Sequence, residues 1–163
     1  MRMSDLPSCE VSARIAAPPE TVWALVSDVT RVGQWGAECV GAQWIDGASG
    51  PAAGARFLGQ QVREDRKWET TSVVMEAEPG RTFEWVVGDP DNPSARWRYE
   101  LTADDTGTLV TYRVVMGPGP SGLTAVITQM PEHEERIIDN RLAEHRRNMT
   151  GTLAAIKAEA ESS

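Results

Sequence analysis

The sequence predicts an α+β protein: a curved antiparallel sheet of about seven strands wrapped around a long C-terminal helix, with two short helices after the first strand. Two observations lead to this fold class. Apolar and polar residues alternate with a period of two at 9–15 and, between recurrent turn signals, from 40 to 117. Beyond Pro131, apolar residues return every three or four positions as far as Ala160, which is typical of one long amphipathic helix.

The first strand and the segments after it carry clear signals. At 9–15 apolar side chains alternate with polar ones, as in a strand with one buried face. Pro19 and Glu20 suit the first turn of a helix, where a missing N–H is tolerated and a negative charge is favoured. Gly33 and Gly36 interrupt the next segment, so the second helix is predicted to be short and broken.

Turn residues separate the remaining strands. Gly, Pro, Asp and Asn cluster at 47–51, 78–80, 88–93 and 104–107, and each cluster is predicted to be a loop or turn. Consecutive strands joined by such short connections pair antiparallel. The six further strands are predicted at 40–46, 54–63, 67–77, 81–88, 95–102 and 108–116.

The C-terminal part is predicted to be helical. A short helix covers 123–130, and Pro131 followed by acidic residues marks the start of the long helix that runs towards Ala160. His145 occupies the one gap in its apolar spacing. Gly151 lies inside this helix, where it costs about 1 kcal/mol relative to Ala. Its presence suggests the close approach of a strand or a ligand, or else an uncompensated cost.

The charge and composition exclude several classes of partner. The 163 residues suit a single domain with its core at about 9–160, and 40% hydrophobic residues exclude a disordered chain. With 16 basic and 24 acidic residues the net charge is −8, which disfavours nucleic acid and anionic membrane surfaces as ligands. The sequence has no apolar run typical of a signal peptide or a membrane span, so we expect a cytoplasmic protein, monomeric or homodimeric.

Motifs for metals and cofactors are missing from the sequence. The two cysteines, Cys9 and Cys39, form no CxxC pattern and have no histidine at metal-ligand spacing. The sequence also contains no phosphate-binding glycine loop and no dinucleotide fingerprint. We therefore expect no metal, no cofactor and no structural disulfide.

The predicted architecture leaves space between sheet and helix. Seven strands about 4.8 Å apart span roughly 30 Å, whereas a helix with its side chains is about 10–12 Å wide. The sheet must therefore curl around the helix, and large side chains either fill the interior or line a pocket in it. Tryptophan accounts for six aromatic residues, against two Tyr and two Phe. The aromatic residues at predicted inward positions are Phe57, Trp85, Trp97, Tyr99 and Tyr112.

Several local strings resemble a known family. The strings lie at 17–23, 35–39, 54–57, 78–83, 97–99 and 149–157. Together with the order of the elements, they are similar to the START-like (SRPBCC) superfamily with its helix-grip fold, and in particular to its bacterial polyketide cyclase/dehydrase-like branch. The resemblance covers about residues 9–160. It implies the fold rather than one activity, because the superfamily includes lipid carriers, cyclases, dehydratases, hormone receptors and chaperone activators.

Two polar residues, His145 and Glu38, are the candidates for acid–base chemistry. His145 falls on the apolar stripe of the long helix, so its ring should face the sheet, either as a satisfied core residue or as a group that contacts ligand or transfers protons. Glu38 is either an acid or base beside apolar walls or one half of an ion pair with an arginine. Arg141 and Asn148 flank His145 and form either a polar patch or a solvated face. Cys39 fits a small buried residue better than a nucleophile.

These residues define a predicted ligand site. The leading hypothesis is the binding of one small hydrophobic or aromatic molecule, lipid- or polyketide-like, between the sheet and the C-terminal helix. The alternatives are a cyclase, dehydratase or aromatase that uses His145 and Glu38 for proton transfer, and a protein-interaction module of the chaperone-activator type. The residues predicted to contact the ligand are Trp35, Glu38, Trp44, Phe57, Trp85, Trp97, Tyr99, Tyr112, Leu142, His145 and Met149.

Overall fold

The computed structural model describes residues 1–162, and its elements follow the predicted order. The strands are β1 (Ser8–Ile15), β2 (Cys39–Ile45), β3 (Arg56–Arg63), β4 (Arg66–Glu78), β5 (Thr82–Asp89), β6 (Asn92–Asp104) and β7 (Gly107–Met116). The helices are α1 (Pro19–Val26), α2 (Gly122–Gln129) and α3 (Glu134–Glu161). Three-residue-per-turn helices lie at Met3–Asp5, Val29–Gln34 and Pro131–His133.

The seven strands form one antiparallel sheet in the order β1-β7-β6-β5-β4-β3-β2. Register shifts interrupt β2 after Cys39, β4 between Val74 and Glu76, and β5 between Val87 and Gly88. Such bulges increase the local twist of a sheet and help it to curve. The sheet and the long helix against it confirm the predicted helix-grip fold.

Helix α3 packs along the sheet and is tied to its β1 edge. Lys157 Nζ donates a hydrogen bond to the Arg14 carbonyl oxygen at 2.9 Å, and Arg146 Nη1 donates to the Glu10 carbonyl oxygen at 2.9 Å. These contacts hold one side of the helix close to β1, so any space beneath it opens towards β2 and β3. The buried apolar residues of α3 are Ile138, Met149, Leu153, Ile156 and Ala160.

The segment 88–93 is a tighter turn than the predicted loop. Asp89 pairs with Asn92, so only two residues separate β5 from β6. Gly88 has a φ of +84°, which a residue with a side chain rarely adopts. Its partner Pro93 lies at the register shift, where a strand tolerates a residue that has no backbone N–H to donate. A sequence rich in Gly, Pro and Asp therefore folds here as a hairpin with a bulge.

The structure corrects the predicted start of α3 and decides between two interpretations of Gly151. The helix proper starts at Glu134, because Pro131–His133 forms a separate turn in front of it. Gly151 is not approached by a strand or by any other part of residues 1–162: a Cβ added there would meet no atom within 4 Å. The glycine therefore faces open space, and its cost to the helix is uncompensated by packing.

Candidate ligand-binding site

A cavity of about 540 Å³ lies between the concave face of the sheet and α3. This volume is in the range of small-molecule sites. The large inward side chains thus line a space as well as filling the core. The exposed residues of its lining lie mainly where the start of β4 faces the start of α2, so the cavity meets solvent there. The residues there are Arg66, Trp68, Ser121 and Gly122, and Ala37 is an exposed lining residue elsewhere.

Four aromatic side chains form a wall of this cavity across β5, β6 and β7. Trp85 and Trp97 are cross-strand neighbours and stack with ring centroids 6.2 Å apart and planes 12° apart. Tyr99 and Tyr112 are cross-strand neighbours on the next strand pair and stack at 4.0 Å and 8°. Burial raises the pKa of both phenols, and each acts on the other, so both stay protonated at neutral pH. The wall follows from the two-residue period of a strand, which places these side chains on one face.

Three more predicted aromatic residues lie at the β2–β3 side. Phe57 lines the cavity and contacts Trp85 edge-on at 6.2 Å between ring centroids. Trp44 packs edge-on against Phe57 at 5.6 Å but is not part of the cavity lining. Trp35 lines the cavity, and its backbone carbonyl accepts a hydrogen bond from Thr152 Oγ1 at 3.0 Å. Trp44 therefore lies beside Phe57 on the same face of the sheet, outside the lining, whereas Phe57 and Trp35 belong to the lining.

A network of four charged residues, here called the charged seam, joins the β2–β3 side of the sheet to α3. Arg141 donates to both carboxylate oxygens of Glu38, at 2.7 and 2.8 Å, and also donates to Glu144. Arg63 donates to Glu144 through Nε at 2.9 Å and Nη2 at 3.2 Å. Asn148 Nδ2 adds a third hydrogen bond to Glu38 at 3.0 Å. The ion-pair interpretation of Glu38 is thus confirmed.

The charged seam compensates its own charge. Burial alone would raise the pKa of the Glu144 carboxyl, but its hydrogen bonds from Arg63 and Arg141 outweigh burial and hold that pKa below its usual range. Two carboxylates and two guanidinium groups therefore face one another with a formal sum of zero. Pairing of this kind is what makes partly buried charges tolerable.

His145 faces the sheet, as its position on the helical stripe predicts. Its ring meets Trp97 edge-on, with centroids 5.3 Å apart and planes at 86°. The pKa of His145 is lowered to about 4, mainly by burial and next by the nearby Arg141 cation. The Glu38 carboxylate raises this pKa, but by less than Arg141 lowers it. The imidazole is therefore neutral at pH 7, with one nitrogen as donor and the other as acceptor.

The remaining predicted residues divide between cavity and core. Met149 lines the cavity and lies 3.7 Å from Cys9, sulfur to sulfur. Leu142 packs against the core but is not part of the cavity lining. Cys39 lines the cavity, and burial raises the pKa of its thiol, so it is protonated at neutral pH and a poor nucleophile.

Sequence reasoning missed several residues of the site. Arg63 and Glu144 were not singled out, because only the curl of the sheet decides which turn of α3 meets the end of β3. Arg66 and Trp68 lie at the mouth, with the guanidinium 6.0 Å from the ring centroid. The signal for them was weak, since Trp68 falls on a stretch of β4 that alternates poorly. Two apolar residues of α2 that also line the cavity, Leu123 and Val126, were placed only as part of a helix.

The side chains that line the cavity can bind a small molecule and include one imidazole, that of His145, which makes no hydrogen bond within residues 1–162. Within residues 1–162 no three of the His, Cys, Asp and Glu side chains gather as metal ligands would. Glu38 accepts hydrogen bonds from Arg141 and Asn148, whereas His145 makes none to any other part of residues 1–162. Among the described helices, none combines the length and the apolar character needed to cross a membrane.

Comparison with known proteins identifies the class to which this fold and cavity belong. Residues 7–161 match the family described as polyketide cyclase / dehydrase and lipid transport, and the chain belongs to this family. The match supports a ligand-binding or polyketide-related role. No curated protein matches the chain significantly.

Solved structures give the same result. The solution structure of the Polyketide_cyc-like protein Cgl2372 from Corynebacterium glutamicum is 35% identical, with 92% of this chain and 88% of that chain covered and a TM-score of 0.67. The di-domain ARO/CYC StfQ from the steffimycin biosynthetic pathway is 16% identical at a TM-score of 0.71, over 95% of this chain and 50% of that one. Ara h 8.0201 is 11% identical at 0.63, over 96% and 99%. The last two comparisons establish a shared fold.

Proposed function

We propose that this protein binds one small hydrophobic molecule in the cavity between the sheet and α3. The observation that carries the proposal is the cavity of about 540 Å³ behind a stacked wall of Trp85, Trp97, Tyr99 and Tyr112. Stacked rings offer large apolar faces at little cost in conformational entropy, and a ligand covers them from water. Membership of the polyketide cyclase / dehydrase and lipid transport family supports the same role.

The enzyme alternative has less support. Proton transfer by a pair of residues needs both groups within reach of one substrate and free to exchange protons. Glu38 holds three hydrogen bonds from Arg141 and Asn148, so its carboxylate serves the charged seam. Binding therefore explains the arrangement with fewer requirements than acid–base catalysis by Glu38 and His145.

Filling the cavity tests the proposal. Ala95 is a half-buried cavity residue on β6, and Ala95→Phe should occupy the space without removing any existing contact. We expect the wild type to bind the uncharged dye N-phenyl-1-naphthylamine with a rise in its fluorescence, and the variant to lose most of this binding. Ala103→Phe, on the same strand but exposed and outside the lining, is the matched control. Equal dye binding by the wild type and both variants would overturn the proposal.

A further inference from the structure

The imidazole of His145 lies between the aromatic wall and the charged seam, and within residues 1–162 it is a polar group without a hydrogen-bond partner. Within residues 1–162 it makes no hydrogen bond, and its contact with Trp97 is between rings. In that range every fully buried nitrogen or oxygen atom of a half-buried side chain has a hydrogen-bond partner. Because the His145 nitrogens have none, they are not fully buried, and a small molecule can reach them. Because the residue lines the cavity and faces the sheet, the space they reach is the cavity itself.

A neutral imidazole matches a particular kind of ligand group. Burial and Arg141 lower the pKa of His145 to about 4, while Glu38 and Glu144 act in the opposite direction and Arg63 adds to the lowering. With one donor and one acceptor, the ring can pair with a hydroxyl group in either direction or donate to a carbonyl oxygen. A ligand without such a group leaves the ring unpaired once water is displaced, which costs binding free energy.

The charges around the cavity argue against an anionic ligand group beside His145. Arg141 is shared by two carboxylates, and Arg63 is paired with Glu144, so the charged seam has no spare cation. A buried carboxylate of a ligand would lose its hydration without gaining a counterion, which is costly. Arg66 is the cation at the mouth, where it is exposed and lies over Trp68.

We infer that the cavity selects an uncharged ring compound that carries a hydroxyl or carbonyl oxygen, and that His145 is the residue that binds this oxygen. The inference rests on the proposed function, since it names the ligand group that the same cavity recognises. The closed charged seam acts as the second selective element, because it leaves no counterion for a carboxylate in this part of the cavity.

Three naphthalene derivatives separate these effects. Naphthalene, 2-naphthol and 2-naphthoate share one ring system and differ in having no polar group, a neutral hydroxyl or a carboxylate. In displacement of N-phenyl-1-naphthylamine at pH 7, we expect 2-naphthol to bind about three- to tenfold more tightly than naphthalene, the range of one net hydrogen bond. 2-Naphthoate should bind no more tightly than naphthalene. If it binds as well as 2-naphthol, whether through Arg66 or elsewhere, the inference is overturned.

Variants of His145 assign the effect to the ring. His145→Phe keeps an aromatic ring beside Trp97 and should remove the preference for 2-naphthol, and naphthalene should bind at least as tightly as to the wild type because no imidazole is left unpaired. His145→Gln keeps a donor and an acceptor and should retain part of the preference, which distinguishes hydrogen bonding from a loss of packing. His133→Phe, at an exposed histidine outside the cavity lining, is the control and should change nothing. An unchanged preference in His145→Phe would overturn the inference.

Glu38→Gln tests the role of the charged seam. The substitution removes one negative charge and leaves Arg63 and Arg141 opposed by Glu144 alone. We expect 2-naphthoate to bind at least threefold more tightly to this variant than to the wild type, with naphthalene unaffected. No gain for 2-naphthoate would contradict the seam as a selective element. Failure of the dye and all three compounds to bind the wild type would instead refute the proposed function.

Discussion

Glu38 and Arg141, which are 103 positions apart in the chain, form a two-point ion pair with nitrogen–oxygen distances of 2.7 and 2.8 Å. Only about 16% of the Arg141 side chain and 18% of the Glu38 side chain are exposed. The pair connects the start of β2 to the N-terminal third of α3, on the side of the helix away from its contacts with β1. It therefore closes the wall of the cavity between β2 and α3 through side chains.

Removing the cation of this pair should destabilise the fold. In Arg141→Met, Glu38 and Glu144 remain partly buried near each other without their shared guanidinium, and we expect a loss of about 2–4 kcal/mol in the free energy of unfolding. Urea denaturation measures it. Arg56→Met, which breaks the exposed pair with Asp46, should change stability by less than about 1 kcal/mol. Similar losses in both variants would contradict a structural role for the seam.

The same network predicts coupling between its members. Glu38→Gln in the Arg141→Met background removes the carboxylate that the first substitution left unpaired. The double variant should therefore be more stable than the sum of the two single effects predicts, by about 1 kcal/mol or more. A double-mutant cycle followed by urea denaturation measures this coupling energy. Strict additivity would mean that the two side chains do not stabilise each other.

His145 gives the protein a specific dependence of stability on pH. Its folded-state pKa of about 4 lies below the unfolded value of about 6.5, so the unfolded chain binds more protons between these limits. The contribution of His145 to the free energy of unfolding is therefore complete above about pH 6.5 and is lost as the pH falls towards 4. The loss is about 1.4 kcal/mol for each pH unit and reaches about 3 kcal/mol in all.

His145→Phe isolates this contribution from that of the carboxylates. The free energy of unfolding of the wild type minus that of the variant should fall between pH 7 and pH 4, as measured by denaturation at each pH. His133→Phe, at an exposed histidine outside the cavity lining, provides the comparison. A difference between wild type and His145→Phe that is constant with pH would show that the ring is not held neutral.

The strands and the aromatic wall could be predicted because their signal is local. Trp85, Trp97, Tyr99 and Tyr112 stand at alternate positions on predicted strands, so a period of two places them on one face before any tertiary contact is known. The bulges that curve the sheet were not predicted, since the register shift at Gly88 depends on how its hairpin closes.

The charged seam could be predicted only in part. An ion pair of Glu38 with some arginine was one of two interpretations, and Arg141 was one of two residues noted beside His145. The partnership of Arg63 with Glu144 was not foreseen, because it depends on the curl of β3 towards α3. Two interpretations of Gly151 were also left open, and the open space around it favours the uncompensated cost over the approach of a strand.

Cys39 should report on occupancy of the cavity. It lines the cavity, whereas Cys9 is buried and outside the lining, and burial raises the pKa of both thiols. We expect slow alkylation of Cys39 by iodoacetamide near neutral pH, slowed further when N-phenyl-1-naphthylamine is bound. Mass spectrometry of peptides containing each cysteine measures the two rates, with Cys9 as the internal control. Equal rates at Cys39 with and without bound dye would place the dye outside the cavity.

Gly151→Ala should stabilise the protein, since the helix gains a better helix former and loses no contact. A Cβ at this position meets no atom within 4 Å, so the gain in helix propensity of about 1 kcal/mol is not offset by a clash. The expected result is a higher midpoint in urea with an unchanged slope. Ala143→Gly, at an exposed position on the same helix, is the reverse change and should lower the midpoint by a similar amount. A lower midpoint for Gly151→Ala would contradict the finding that this position faces open space.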